Sequence, residues 1–510
     1  MVTITGNWII VDKSDPSYAQ LSINLVYIER EKRRKVRGRE IRIPPQTHRL
    51  YEISDDKLYI PCGVLSYIKD YLTKSDVIYE IPDSIDMSCA ISNIDKYENI
   101  LDGISLRKYQ IIALRKILHF KRCLIQMSTG SGKTEVLCAL SKIIADVNNG
   151  YMTTLLIEPT VKLVDDTVRR FENYGIPVAK YSENREIIPN VINISHPASL
   201  GNDLEKDKNL LNGVQVLLAD ETHHLSAESF RRPTYSMSNL QYSVGVSASA
   251  ISQYHVGIDD ISKYTYDEAL VIGSTGPLVV NVTSKNLIES GSLANPVLLM
   301  LDNPADEPMR KNDLDNWTKI LSTRLESEHR TKLAVDTAKF FHEKGRKTLI
   351  LVRTKKVAED ILRELYKFGL GEYTRASFGG GIFEGFNGAE IYNDTGDVFS
   401  KFGNGEYTIL IGTSHLYEGV DVPNLDVIVL ACGGKGERTQ VQGIGRALRK
   451  TKSGKYAYIV DFTDAEDTIL SRHSRMRMNR YVDIIGVPKE HIYKNISVGN
   501  LEEIFNSLEK

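Results

Sequence analysis

Short apolar runs alternate with longer helical stretches over most of this chain, from residue 107 to about residue 462. Runs such as Val216–Ala219 and 409–411 are continuously apolar and do not alternate with polar residues. Strands of this kind are typical of parallel sheets that helices cover on both faces. The pattern therefore predicts an α/β fold built from parallel βαβ units.

The predicted strands fall into two groups, which indicates two tandem open sheets. The first group spans residues 122–127, 153–159, 191–195, 214–220 and 242–247, and the second spans 347–353, 408–412, 427–431 and 456–461. Aspartate, glycine and proline cluster between the groups, over residues 254–346, and we expect the inter-domain linker there. We place the two domains at residues 96–290 and 291–510.

The N-terminal part, residues 1–95, has a different pattern. Short strands are predicted over 2–11, 49–53 and 57–60, and Leu65, Ile68 and Leu72 follow at helical spacing. We therefore expect a small N-terminal α+β domain, separate from the two larger ones.

Composition excludes several classes of protein. The 64 basic and 66 acidic residues give a net charge of −2, so bulk charge carries no argument for a nucleic-acid partner. No apolar run approaches the roughly 18 residues of a membrane span, and charged residues such as Asp12 and Lys13 interrupt the N-terminus where a signal peptide stays apolar. The 5 cysteines include no C-x-x-C pair, which argues against a disulfide framework or a zinc site. We expect a cytoplasmic protein without a membrane partner.

A glycine-rich turn follows the first predicted strand, Arg122–Met127, and precedes a predicted helix. Successive backbone N–H groups and the positive end of the helix can face phosphates in such a turn. Lys133 would then reach the β- and γ-phosphates of ATP, and the Thr134 hydroxyl would hold Mg²⁺. Met127 replaces the first glycine of the general P-loop pattern. The expected ATP-binding residues here are Thr129, Gly130, Ser131, Gly132, Lys133 and Thr134.

Two adjacent acids, Asp220 and Glu221, follow the predicted strand 214–220. An aspartate at this place can hold Mg²⁺, and the adjacent glutamate can orient and deprotonate the attacking water. An acidic turn after a strand is also a common solvated loop, so the order of motifs along the chain decides between the two interpretations.

That order resembles the order in superfamily 2 helicases and translocases, whose motor consists of two RecA-like domains with ATP in the cleft between them. Eight segments resemble the family's motifs in sequence: 106–110 upstream of the P-loop, 128–134 (motif I), 159–163 (Ia), 220–223 (II), 247–249 (III), 348–354 (IV), 413–423 (V) and 440–449 (VI). The resemblance implies two tandem RecA-like parallel-sheet domains preceded by the small α+β domain.

The resemblance also implies roles for particular residues. Lys133 and Glu221 are expected to be catalytic, as are three residues of motif VI, and Gln110 is expected to contact the adenine. Arg446 and Arg449 lie three residues apart on one helix face and would act as arginine fingers. The remaining implied residues are Gln442 in catalysis, Gly419 and Asp421 at the nucleotide, and Thr160, Ser195 and Thr413 at the nucleic-acid backbone.

Motif III departs from the common Ser-Ala-Thr-Pro form of the family. Ser249 replaces threonine and Ala250 replaces proline, and Gln253 stands where an arginine often follows. The conformation of this loop is therefore less predictable than that of the other motifs.

Three further segments are similar to a DNA-helicase branch of the superfamily. Residues 276–278 and 287–296 resemble the domain junction of XPB, RecG-like and phage UvsW-like helicases. The tail 470–477 with Tyr481, and residues 57–65 near the N-terminus, resemble phage UvsW-type enzymes.

Residues 30–42 contain eight basic and two acidic residues, a local excess that indicates a phosphate-binding surface. A solvated loop or a nuclear-localisation-like run is the alternative. The nucleic-acid contacts we expect from this segment are Arg33, Arg34, Arg37 and Arg39. A second basic cluster, at Arg472, His473, Arg475, Arg477 and Arg480, could flank the same nucleic acid. Because all nucleotide motifs lie beyond residue 105, we expect removal of residues 1–95 to leave ATP binding intact.

The function that these residues favour is an ATP-dependent DNA helicase or translocase that unwinds or branch-migrates forked and recombination-type DNA. The expected partners are single-stranded and branched duplex DNA, with RNA as an alternative. A DEAD-box RNA helicase would normally carry Asp-Glu-Ala-Asp rather than Asp220-Glu221-Thr222-His223. A restriction-system translocase would need a nuclease partner, and a non-enzymatic binder would not need the phosphate-chemistry residues. The residues leave the oligomeric state open, and a monomer is compatible with them.

Overall fold

The computed structural model describes residues 1–29, 32–36, 39–80, 86–252, 255–303, 324–377, 396–413, 422, 424–434, 444–445, 447–449, 456–464 and 469–509. The chain forms two compact units. The first consists of Met1–Met127 and Gly132–Val282, and the second of Ser128–Ser131 and Thr283–Lys510. Two sheets of seven parallel strands, one in each unit, confirm the predicted tandem RecA-like architecture. The predicted domain bounds 1–95, 96–290 and 291–510 stay a prediction.

The first unit begins with a small mixed domain, which confirms the predicted α+β class of this region. A five-stranded sheet has the order β7-β8-β2-β1-β9, and β3–β6 and β4–β5 form separate antiparallel pairs. The strands are β1 Val2–Thr5, β2 Trp8–Asp12, β3 Val26–Glu29, β4 Lys32–Val36, β5 Arg39–Ile43, β6 Gln46–Arg49, β7 Glu52–Ser54, β8 Lys57–Pro61 and β9 Val77–Glu80. The helices are Tyr18–Asn24, Leu65–Ile68 and Ser88–Ser92.

The N-terminal sheet shares its apolar core with the RecA-like part of the first unit. Buried Ile60 belongs to the same cluster as Leu124, Ile251 and Ile272. The Asn7 side chain donates to the Thr234 carbonyl, and the Trp8 indole N–H donates to the Tyr235 carbonyl over 3.2 Å. The small domain is therefore not separate, contrary to the expectation from its sequence pattern.

The first RecA-like sheet has the order β12-β13-β11-β14-β15-β10-β16. Its strands are β10 Arg122–Met127, β11 Thr154–Ile157, β12 Val178–Lys180, β13 Ile192–Ser195, β14 Val216–Ala219, β15 Tyr242–Ser247 and β16 Leu278–Val282. Helices accompany it at Lys108–Phe120, Lys133–Asn148, Val161–Asn173, Tyr181–Asn184, Pro197–Lys206, Glu228–Arg231 and Tyr266–Thr275. Because β10, β11, β13, β14 and β15 run parallel, their carboxyl ends meet at one edge.

The second RecA-like sheet repeats the topology of the first, with the order β19-β20-β18-β21-β22-β17-β23. Its strands are β17 Asn295–Asn303, β18 Thr348–Leu351, β19 Thr374–Ser377, β20 Ile409–Gly412, β21 Val427–Leu430, β22 Tyr456–Asp464 and β23 Ile492–Ile496. The helices of this unit are Ser284–Glu289, Glu328–Glu343, Lys355–Lys367, Gly396–Asn404, Ile469–Arg480 and Leu501–Leu508.

All nine strands predicted in the two groups are present, and the boundary between the two units, at residues 282 and 283, falls within the segment 254–346 where the linker was expected. The described residues of this segment, 255–303 and 324–346, nevertheless contain regular structure: β16 and β17, which each pair within one of the two sheets, and three helices. Pro296 near the start of β17 weakened the strand pattern, since proline cannot donate a ladder hydrogen bond. Among the described residues, no helix combines the length and apolarity that crossing a membrane requires.

Candidate nucleotide and nucleic-acid sites

The glycine-rich turn between β10 and the helix Lys133–Asn148 adopts the conformation that its glycines allow. Gly130 has φ +82° and Gly132 has φ +81°, in the left-handed region where a side chain is strained. A Cβ at Gly132 would also lie 2.4 Å from the Nε2 of Gln110. The amide of Ser131 donates to the Ser128 carbonyl over 3.1 Å and closes the turn. The helix that begins at Lys133 therefore follows directly on a turn in which two positions have the left-handed backbone conformation that glycine favours.

Lys133 and Glu221 come together at the carboxyl edge of the first sheet. The Nζ of Lys133 lies 3.7 Å from the Oε1 of Glu221, and the two side chains are 12% and 22% exposed. Glu221 itself has φ +42°, a left-handed conformation that is costly for a residue with a side chain and is enriched at functional sites. The structure thus juxtaposes the expected phosphate-binding lysine and the expected general base.

Asp220 and Glu221 have opposite electrostatic surroundings. Burial and the neighbouring Glu221 charge raise the pKa of Asp220 to about 6. Burial also acts to raise the pKa of Glu221, but the Lys133 ammonium and the hydrogen bond from His223 outweigh it and lower that pKa below its usual value. Glu221 is therefore held as the carboxylate, the form that a general base requires.

A second group of contacts fixes the other oxygen of Glu221. The Ser247 hydroxyl, at the end of β15, donates to Oε2 of Glu221 over 3.2 Å, and the His223 Nδ1 lies 3.4 Å from the same oxygen. The His223 ring nitrogen and the Ser247 hydroxyl are themselves 3.2 Å apart. Ser247 was not among the predicted site residues, although motif III contains it. The segments that resemble motifs II and III thus meet at this carboxylate.

Oxygen donors for a magnesium ion are available at the same edge. Asp220 supplies a carboxylate after β14, and Thr134 supplies a hydroxyl in the first turn of the helix Lys133–Asn148. Mg²⁺ is commonly held by one or two carboxylates together with substrate phosphates and water. Within the described part of the chain, no group of three or more His, Cys, Asp or Glu residues that could hold a metal ion occurs. The donor set fits magnesium bound jointly with a nucleotide.

The Gln110 side chain is hydrogen-bonded to the glycine-rich turn. Its Oε1 accepts from the Arg107 amide over 2.8 Å, and its Nε2 donates to the Gly132 carbonyl over 3.1 Å. The side chain is buried at 5% exposure. Gln110 therefore supports the turn directly, while its contact with adenine stays a prediction.

Glu158 is a buried acid that the sequence reasoning missed. It follows β11, accepts from the Thr167 hydroxyl over 2.7 Å and is 1% exposed. Burial and the charge of Asp220 raise its pKa well above the usual range for glutamate. The signal was available, since Glu158 stands at the end of an apolar run directly before Pro159.

Two of the predicted nucleic-acid contacts lie at the same sheet edge. Thr160 caps the helix Val161–Asn173, and its Oγ1 accepts from the Leu163 amide over 3.2 Å. Ser195 ends β13 at 2% exposure, and its hydroxyl donates to the His196 carbonyl over 3.1 Å. Thr413 directly follows β20 in the second unit. The Ser195 carbonyl accepts from the Glu158 amide over 3.0 Å, so both its side chain and its carbonyl are engaged within the protein, and its contact with nucleic acid stays a prediction.

Several predicted site residues lie outside the described part of the chain: Gly419, Asp421, Gln442, Arg446 and Arg37. Arg449 is described and half-buried, and Arg33, Arg34 and Arg39 are described only by their backbone. That backbone forms the β4–β5 hairpin, in which Arg33 pairs with Arg42 and Lys35 pairs with Glu40. The basic stretch is thus a β-ribbon rather than a loop over these residues.

The second basic cluster is in part a structural element, which corrects the prediction for Arg477. Its guanidinium is 0% exposed and donates to both carboxylate oxygens of Asp461, over 2.7 and 3.0 Å. His473 is also buried, at 9% exposure. Both residues lie on the buried face of the helix Ile469–Arg480, where residues three and four apart meet the sheet. Arg472 and Arg475 remain exposed.

Comparison with known proteins agrees with this arrangement. Residues 103–251 match the family described as "Type III restriction enzyme, res subunit", and residues 331–451 match the "Helicase conserved C-terminal domain". "Putative helicase 22" of Sulfolobus islandicus filamentous virus is 23% identical over 76% of this chain and 69% of its own length. "DNA 3'-5' translocase XPB2" of Sulfurisphaera tokodaii is 24% identical over 74% of this chain and 86% of its own length.

Among solved structures, S. cerevisiae Dbp5 bound to RNA and ADP BeF3 has a TM-score of 0.53 at 14% identity, covering 81% of this chain and 95% of that one. At this identity the likeness concerns the fold alone. The two family matches fall one in each RecA-like region, in the order that the motifs predicted. This chain belongs to the superfamily 2 helicases and translocases, and its relatives include XPB-like proteins.

Proposed function

We propose that this chain is an ATP-dependent DNA translocase that unwinds or branch-migrates forked and recombination-type DNA. One observation carries the ATPase part of the proposal: Glu221 is held as a carboxylate by Lys133, His223 and Ser247 beside a phosphate-binding turn. A base of this kind accepts the proton of the water that attacks the γ-phosphate. DNA as the substrate class is supported by the XPB2 relative, which is named a DNA translocase.

Different residues of the candidate site have different roles in the proposed ATPase reaction. Lys133 and the backbone of the turn 129–132 hold the phosphates, and Gln110 orients the turn. Thr134 and Asp220 hold Mg²⁺, which neutralises phosphate charge when it is bound. The proposed residues of the second RecA-like region are Gln442, Arg446 and Arg449 as partners of the γ-phosphate, with Gly419 and Asp421 at the nucleotide.

The proposed DNA contacts are of two kinds. Thr160, Ser195 and Thr413 follow strands of the RecA-like sheets, and hydroxyls and amides of this kind contact phosphates without reading sequence. The β4–β5 hairpin adds basic residues, which neutralise phosphates and give salt-dependent affinity. We therefore propose binding with little or no base specificity.

The test compares ATP hydrolysis by the full chain with single-stranded DNA, forked DNA, RNA or no nucleic acid. We expect stimulation by DNA, and greater unwinding of forked DNA than of blunt duplex. Stimulation by RNA alone would replace the DNA proposal with the RNA-helicase alternative. Absence of hydrolysis under all four conditions would contradict the ATPase proposal itself, provided that Glu221→Gln still binds ATP.

A further inference from the structure

The loop after β15 lacks the proline of the common motif III, but three of its backbone amides donate hydrogen bonds to side-chain oxygens. The Ser249 amide donates to the Ser247 hydroxyl over 3.2 Å. The Ile251 amide donates to the Oε1 of Gln126 over 2.9 Å, and the Ser252 amide donates to the Oε1 of Glu268 over 2.6 Å. Three hydrogen bonds to backbone amides thus fix the loop without the rigid ring of proline.

Gln126 connects this loop to the strand that leads into the phosphate-binding turn. It is the next-to-last residue of β10, its Cα lies opposite that of Ser247 in the parallel ladder, and its side chain is buried at 8% exposure. A buried hydrogen bond of this kind fixes the spacing between two strand ends, because breaking it leaves a donor unsatisfied. The two strand ends are that of β10, which leads towards Lys133, and that of β15, where the loop starts at Ser247.

The Glu268 carboxylate accepts hydrogen bonds from two segments, the loop after β15 and the start of the helix Tyr266–Thr275. One oxygen accepts from the Thr265 amide and hydroxyl over 3.0 and 2.9 Å, completing the capping box of the helix Tyr266–Thr275. The other oxygen accepts the Ser252 amide. Glu268 is 6% exposed, so its conformation is determined by these contacts rather than by water.

Two residues of the loop are packed into the core. Ala250 and Ile251 are each 2% exposed and belong to the apolar cluster that the N-terminal sheet shares with the first RecA-like sheet. At the start of the loop, the Ser247 hydroxyl lies 3.2 Å from Oε2 of Glu221. The position of the Ser247 hydroxyl at that carboxylate is therefore set by the anchored loop.

We propose that Gln126 and Glu268 are positioning residues for ATP hydrolysis, which act by fixing the loop 247–252 so that Ser247 holds Glu221 in its productive orientation. This inference rests on the proposed ATPase function and assigns roles to two residues outside the resembling motifs. Both act through Ser247, so their loss should impair the chemical step and spare nucleotide binding.

The test uses Gln126→Met, which keeps the length of the side chain and removes the acceptor. The kcat and KM for ATP are measured with saturating single-stranded DNA, together with the melting temperature of each variant. We expect kcat to fall by about 10–100-fold, the usual effect of removing a residue that orients a functional group, with KM for ATP little changed. Gln126→Glu retains an acceptor oxygen at the same reach and should recover most of the lost kcat.

Two matched controls separate positioning from stability. Ile125→Val and Ile272→Val each remove one methylene from a fully buried side chain, the first beside Gln126 on β10 and the second on the helix that carries Glu268. Both should lower the melting temperature and leave kcat unchanged. A Gln126→Met protein with wild-type kcat, or one whose kcat falls no more than that of Ile125→Val at equal loss of melting temperature, overturns the inference while the proposed function stands. A wild-type protein without ATP hydrolysis overturns both.

Discussion

The ammonium of Lys133 lies 3.7 Å from the carboxylate of Glu221, at the edge of the sheet where strands from three sequence motifs end. The lysine lowers the pKa of this glutamate, while the adjacent Asp220 has its pKa raised by burial and by the Glu221 charge. Two neighbouring carboxyl groups with separated pKa values can take two different roles. The roles that we propose in this chain are general base for Glu221 and magnesium ligand for Asp220.

The pH dependence of nucleotide binding should report the titration of Asp220. Its pKa is raised to about 6, so in the free protein the magnesium-binding carboxylate is present above that pH and is protonated below it. We expect the affinity for Mg²⁺-ATP to fall as the pH drops through about 6 and to level off at higher pH. Titration with a fluorescent ATP analogue at fixed free Mg²⁺ measures this. Asp220→Asn should bind more weakly and lose that pH dependence, and an identical profile in wild type and Asp220→Asn would contradict the assignment.

Breaking the buried ion pair between Arg477 and Asp461 should cause a large loss of stability. Arg477→Met leaves the Asp461 carboxylate without its bidentate partner in the core, which typically costs about 3–5 kcal/mol. Asp461→Asn combined with Arg477→Met should recover part of that loss. Arg475→Met on the exposed face of the same helix is the control, with an expected change within about 0.5 kcal/mol. Equal denaturant midpoints for Arg477→Met and Arg475→Met would show that the buried pair does not stabilise the second unit.

Removal of residues 1–95 should destabilise the first unit. The sequence pattern led us to expect intact ATP binding after this deletion, but the structure shows one continuous apolar core that includes Ile60, Leu124 and Ile251. Deleting the N-terminal sheet would expose that core, and large exposed apolar patches favour aggregation. We expect the truncated chain to be insoluble or to bind a hydrophobic dye strongly. A soluble truncated chain that binds ATP with wild-type affinity would contradict the shared core.

Charge reversal in the hairpin tests the proposed DNA surface. Arg33→Glu with Arg34→Glu should weaken duplex binding and flatten the slope of log affinity against log salt by about 0.9 for each lost phosphate contact. The control is Lys13→Glu with Lys57→Glu, two basic residues of the same domain whose ammonium groups already pair with Asp56 and Asp12. If both double variants show the same affinity and salt slope as wild type, the basic ribbon is not a DNA contact.

Much of the fold followed from the sequence because buried parallel strands have a strong local pattern. Strands β10 and β15 have the predicted bounds, and central strands such as β14 and β20 differ from prediction by a few residues. The strands that were missed have weaker patterns: β12 has three residues at a sheet edge, and β17 contains a proline. The core that the N-terminal sheet shares with the first RecA-like sheet was not predictable from local pattern, because the apolar face of a strand does not indicate which element packs against it.

The candidate site was predictable where a residue acts through its type and its place in a motif, as for Lys133 and Glu221. The residues that hold those groups were not. Gln126 and Glu268 act through single bonds to backbone amides far away in sequence, and no spacing rule connects them. Arg477 was misassigned because a basic residue on a helix has the same sequence signal whether it meets water or a buried carboxylate.

The measurement that tests the account most directly is single-turnover ATP hydrolysis by Glu221→Gln, with ATP affinity measured on the same protein. Glutamine keeps the size of the side chain and cannot accept the proton of the attacking water, so we expect ATP to bind with near wild-type affinity. Hydrolysis should be lost, and the ATP-bound variant should hold DNA more tightly than the wild type does during turnover. Hydrolysis by Glu221→Gln at near wild-type rates would contradict the assignment of Glu221 as the general base.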